Sequence, residues 1–109
     1  MRSMTVEKDG DSLVVVFSDR NISDEVRIME IGDDLTEIAS KMAARQVLVL
    51  DFQNVEYFSS AMVGQIVQLR NATEKNDVEI RLRNVSPTIR DILHVMHLDK
   101  VFRIEHLDT

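Results

Sequence analysis

Apolar positions in this chain change their spacing several times, and each change marks an element. Val47-Leu48-Val49-Leu50-Asp51-Phe52 is short, rich in Val and Leu and closed by Asp, which predicts a strand buried on both faces. After it, Met62, Ile66 and Leu69 recur at helical spacing with Val63 and Val67 beside them. That spacing predicts a helix from about Ser60, fraying around Thr73-Glu74-Lys75-Asn76-Asp77. Upstream, Met4-Thr5-Val6-Glu7 and Leu13-Val14-Val15-Val16-Phe17 flank Asp9-Gly10-Asp11, whose Asp-Gly pair signals the turn of a hairpin. Residues 18–23 are polar and irregular. Ser23 is the expected N-cap of a helix of about five turns, with Asp24 and Glu25 in its first turn and Ile28, Ile31, Leu35, Ile38 and Met42 on one face.

Downstream, Val78-Glu79-Ile80-Arg81-Leu82 alternates as a strand with one side on a core. Ser86-Pro87 opens a third helix, Ser as cap and Pro at the first helical position, with Ile89, Ile92, Leu93 and Met96 on its apolar side. Val101-Phe102-Arg103-Ile104 reads as a last edge strand, interrupted by Arg103. The order β-β-α-β-α-β-α-β implies right-handed crossovers. The expected fold is therefore α/β: a mixed, mostly parallel sheet with an opening β-hairpin and helices mainly on one side, in a single domain over residues 1–109.

The 109 residues suffice for one core but not for two. A formal net charge of −6 argues against a nucleic-acid binder, which needs a basic patch against the phosphate backbone. Arg81, Arg83 and Arg90 are the only modest basic cluster, and the acidity reads as a solubility device. The chain has no Cys, so disulfides, thiol catalysis and thiolate metal sites are excluded. No stretch approaches the roughly 20 apolar residues of a bilayer span, and Met1-Arg2-Ser3-Met4-Thr5 lacks a signal-peptide segment. The expected location is the cytoplasm, with no membrane partner.

Candidate chemistry gathers at Ser59 and Ser60, two hydroxyls where the loop after the central strand becomes a helix. A helix start carries unpaired N–H groups and partial positive charge, so it accommodates an added phosphate. The plain alternative is that the serines form only an N-cap, worth roughly 0.5–2 kcal/mol. Phe58 and Met62 flank them; if exposed they would supply apolar contact to a partner, and if buried they are core. His94 and His97, three apart with Asp99 beyond, are thin support for a metal site. Asp33-Asp34 and Asp9-Gly10-Asp11 lack the spacing of a calcium loop. Ser60 lacks the flanking glycines of a nucleophile elbow, and no His is indicated as its base. No catalytic residue, cofactor or metal is expected.

The order of elements and three segments together resemble the STAS domain, the fold shared by anti-sigma factor antagonists and the tails of sulfate transporters. Val47–Phe52 followed by Val55-Glu56-Tyr57-Phe58 looks like the family's strand and approach loop. Ser59-Ser60-Ala61-Met62-Val63-Gly64 is similar to its Asp-Ser-Ser/Thr-Gly-Leu-Gly motif, in which the Ser after the Asp is phosphorylated by a partner kinase. Leu82-Arg83-Asn84-Val85-Ser86-Pro87 and Leu98-Asp99-Lys100-Val101-Phe102 resemble the fourth strand, the entry to the third helix and the closing segment. No transporter portion is present, so the likeness is to the free-standing bacterial antagonists.

The resemblance implies that Ser60 is the phosphoacceptor, with Ser59 as the alternative, and that Val63 and Gly64 match the motif's Leu and second Gly. Ser59 stands where the family has Asp, Ala61 where it has the second hydroxyl, and Met62 where it has the first Gly. The family's other functional Asp corresponds to Asp24 or is replaced by Ser23. Asp24, Phe58, Ser59 and Met62 are then the expected partner-binding residues. The implied partner is an anti-sigma factor serine kinase, which itself binds the ATP; a homodimer is compatible. The alternative role is an unphosphorylated scaffold module that assembles a larger signalling complex.

Overall fold

The computed structural model describes residues 4–105. The opening hairpin forms from β1 (Met4–Asp9) and β2 (Ser12–Phe17), antiparallel, with Gly10 at φ +61 in the tight turn between them. A left-handed φ of that kind is what Gly supplies without steric cost. The helices are α1 (Glu25–Ser40), α2 (Ser60–Glu74) and α3 (Pro87–Val95). The remaining strands are β3 (Asn21–Ile22), β4 (Val47–Asp51), β5 (Tyr57–Phe58), β6 (Glu79–Arg83) and β7 (Arg103–Glu105). The main sheet has the order β1-β2-β4-β6-β7, and every pairing after the hairpin is parallel. The expected α/β fold, a mixed, mostly parallel sheet with an opening hairpin, is thus the one observed.

One face of this sheet, carrying Val15, Phe17, Leu48, Leu50 and Leu82, joins Ile28, Ile31 and Leu35 of α1, Met62, Val63 and Ile66 of α2, and Ile89 and Leu93 of α3 in a single core. At roughly 1.5–3 kcal/mol for each fully buried aliphatic or aromatic side chain, this burial is the main favourable term. α1 and α2 lie side by side on that face. They approach closely at Gly32, where a Cβ would come within 2.8 Å of the Gln65 side-chain Cδ.

Several boundaries differ from the sequence expectation. α1 ends at Ser40, because Lys41 closes it with φ −97 and ψ 0, leaving Met42 beyond the helix but still packed on the core. The last strand is shifted to Arg103–Glu105, with Val101 and Phe102 in the turn that follows α3. Residues 18–23, expected to be irregular, contain β3. Its two residues pair in parallel with β5, Asn21 opposite Tyr57 and Ile22 opposite Phe58, in a small second sheet. This pair is what positions the site.

Candidate functional site

Each strand of the small sheet runs directly into a helix. Ile22 and Phe58 face each other in register, and two residues beyond them stand Asp24 and Ser60. The pairing therefore brings the starts of α1 and α2 together at one end of the molecule. Three backbone bonds tie the segments: Glu56 N to Arg20 O at 2.8 Å, Tyr57 N to Arg20 O at 3.4 Å, and Ser59 N to Ile22 O at 3.0 Å. The Ser86 hydroxyl donates to Glu56 O at 2.8 Å while accepting from Ile89 N at 3.1 Å, so the cap of α3 also holds the loop before β5. Asn54 Nδ2 reaches Phe17 O at 3.0 Å. Below the loop, Phe52 stacks on Phe17 with centroids 5.1 Å apart and meets Phe58 edge-on at 5.4 Å.

Ser60 is the first residue of α2 and is exposed. Ser59 is the N-cap, in extended conformation, but its side chain makes no capping bond. Its Oγ is buried and finds no hydrogen-bond partner among the described residues. The two hydroxyls are thus unlike: one faces solvent at the positive end of a helix, and the other is shielded. The expectation that the serine pair caps the helix through a side chain is corrected accordingly. No acidic residue sits in the first turn of α2, so the helix itself sets no like charge against a negative group at its start. Gly64, on the exposed side of the helix, has nothing within 4 Å of where a Cβ would be, and no internal contact demands a glycine there.

The apolar contacts expected beside the serines are not on the surface. Phe58 and Met62 are both fully buried in the core. Alternation in β5 turns Phe58 inward and leaves Tyr57, 39% exposed, facing out next to the site. The signal for Tyr57 was available in the Tyr-Phe pair, once the inward member is known.

Asp24 proves to be the N-cap of α1, accepting from Arg27 N at 2.9 Å, while the Ser23 hydroxyl is turned to Asn21 Oδ1 at 2.8 Å. The cap expected at Ser23 therefore lies one residue later, because the carboxylate reaches the first turn and the hydroxyl is engaged elsewhere. Asp24→Ala is expected to lower unfolding free energy by about 0.5–2 kcal/mol in urea denaturation, and Ser23→Ala by much less. Arg27 also forms a two-point ion pair with Asp19, Nε to Oδ2 at 3.1 Å and Nη2 to Oδ1 at 3.0 Å, with both side chains largely buried. That pair pins the first turn of α1 to the loop after β2. It was not foreseen, since nothing local links residues eight apart in a loop and a helix.

Among the described residues, no gathering of histidines supports a metal site. His94 Nδ1 lies 2.9 Å from Asp99 Oδ2 across the end of α3, and no cluster of three metal-ligating side chains occurs among the described residues. The Asp99 hydrogen bond raises the His94 pKa above its usual 6.5, and the same bond lowers that of Asp99 below 3.8. The tie from His94 is complete below its ordinary pKa and is lost as pH rises through the raised folded value. On the acid side it is lost as Asp99 protonates at its lowered pKa. In hydrogen exchange, amides of the turn after α3 should therefore be better protected in the wild type than in His94→Ala at mildly acidic pH. That difference should close at alkaline pH.

No helix among the described residues is long and apolar enough to cross a membrane. A STAS-domain containing protein of Pseudomonas aeruginosa (strain UCBPP-PA14) is 32% identical over 56 residues, covering 51% of this chain and 55% of that protein. The chain thus spans about half the length of that curated relative. Solved structures of other proteins share the architecture. An anti-sigma-factor antagonist (STAS) domain protein from Planctomyces limnophilus superposes with a TM-score of 0.87 at 19% identity, covering 96% of this chain and 91% of that one. The anti-sigma factor antagonist SpoIIAA in its unphosphorylated form gives 0.79 at 15% identity, covering 96% and 88%. At such identities the likeness establishes the fold. The family model for the STAS domain matches residues 5–107, and this chain belongs to the STAS domain family.

Proposed function

We propose that this domain is a non-catalytic regulatory module of the anti-sigma factor antagonist kind, acting in the cytoplasm and controlled by phosphorylation of Ser60. In the unmodified state the start of α2 and the neighbouring start of α1 dock on a serine kinase that binds ATP and otherwise sequesters a sigma factor. Phosphate transfer to Ser60 Oγ releases the antagonist. The observation that carries this reading is the exposure of Ser60 at the first position of α2, where the STAS motif has its acceptor, beside a shielded Ser59. A phosphate adds about −1.5 to −2 charges. The helix start attracts them, so modification alters the docking surface rather than unfolding the domain. Gly64, which the fold does not require, leaves the helix surface low beside Ser60, as a close-fitting partner needs.

Ser59 in place of the motif's Asp favours a second reading, in which the same end assembles a larger signalling complex without being modified. Incubation with the cognate kinase and labelled ATP decides between them. Under the first reading Ser60→Ala abolishes labelling and Ser59→Ala leaves most of it. Labelling absent from the wild type supports the scaffold, and labelling that vanishes only in Ser59→Ala moves the switch by one residue.

A further inference from the structure

Apolar side chains on α1 are not confined to its buried stripe. Val26 and Met29, three residues apart and so neighbours on a helix surface, are 66% and 62% exposed. Around them Glu25, Glu30 and Asp33 are exposed as well. Arg27 is the one cation within α1, and both ends of its guanidinium fork are held by Asp19, so it offers little to neutralise this rim. The result is an apolar pair inside an acidic border on the side of α1 away from the sheet. Because α1 and α2 pack side by side on one face of the sheet, this patch and the exposed Ala61 and Gly64 of α2 point the same way.

The border decides what fits. A second copy meeting this patch by two-fold symmetry would set the acids against their own equivalents. Nucleic acid and anionic lipid surfaces are repelled for the same reason. A protein surface with an apolar centre ringed by Lys and Arg satisfies both the patch and its rim, and such complementarity steers association as well as specifying it.

We propose that the partner which engages the start of α2 also covers the outer face of α1, placing an apolar patch on Val26 and Met29 and basic side chains against Glu25, Glu30 and Asp33. This rests on the reading given under Proposed function, and extends it from a single serine to a two-helix surface with a defined partner chemistry.

The test uses the photo-crosslinker benzoylphenylalanine, placed singly at Val26 or at Ala61 in the full chain, in extract of the cells that make the protein. Adducts are identified by mass. The expected result is one and the same partner at both positions. The Val26 adduct should fall about tenfold when Glu30→Lys and Asp33→Lys are combined, and again in about 0.5 M salt. Both charge changes are at exposed positions, and unchanged thermal midpoints verify the fold. An adduct at Ala61 with none at Val26, a different partner at Val26, or a Val26 adduct indifferent to charge reversal overturns the two-helix surface and leaves the docking role of α2 standing. Adducts at neither position overturn both.

Discussion

Phe58→Ala is expected to cost about 3–5 kcal/mol of stability, a large share of the roughly 5–15 kcal/mol that holds a domain of this size folded. The ring is fully buried between Phe52 and the helices, and no rearrangement of a two-residue strand can fill the space it leaves. Its loss also strips the core contact beneath β5, the strand whose backbone pairing with β3 brings the starts of α1 and α2 together. Urea denaturation measures the effect, and the thermal midpoint should fall by on the order of 15–25 °C. A loss below about 1 kcal/mol would contradict the burial of Phe58 in the core. Met62, equally buried, is expected to behave in the same way.

Arg27→Ala should be nearly as damaging, at about 2–4 kcal/mol. The guanidinium donates two bonds to Asp19 with the side chains only 16% and 14% exposed, so its removal strands a carboxylate that water reaches poorly. Asp19 in turn raises the guanidinium pKa, chiefly through the same hydrogen bond. The diagnostic variant is the double replacement Asp19→Leu with Arg27→Met. Exchanging both partners for apolar groups should recover most of the loss, since the penalty belongs to the unpaired charge. A double variant as unstable as Arg27→Ala alone would assign the cost to lost packing of the arginine stem. The exposed Arg20–Glu56 pair nearby, at 2.9 Å, should contribute little when broken.

What could be read from sequence was the chemistry that acts locally. Asp9-Gly10-Asp11 announced its turn, the Val47–Leu50 run its central strand, and Ser86-Pro87 the capped start of α3, because each depends on residues within one turn or strand of itself. The small sheet was illegible for the opposite reason. Asn21–Ile22 has no strand pattern of its own and forms only because Tyr57–Phe58 lies beside it, 36 residues later. Everything that depended on that pairing followed it. Tyr57 faces out because Phe58 faces in, Ser59 is held to Ile22 with its hydroxyl shielded, and the two helix starts come together. At α1, Ser23 and Asp24 were both credible caps, and only the direction of each side chain separates them. Val26 and Met29 did carry a signal, being apolar residues off the Ile28–Ile31–Leu35 stripe. The residues beneath the site were harder to find than the serine it presents.

The claim on which the account turns is that charge on one accessible oxygen of an intact domain decides whether its partner can bind. Calorimetric titration of the nucleotide-loaded kinase with two forms of the protein, unmodified and carrying phosphoserine at position 60, measures this directly. Affinity should fall at least about tenfold with phosphate in place, while both forms melt at nearly the same temperature. Equal affinity for the two forms would contradict it.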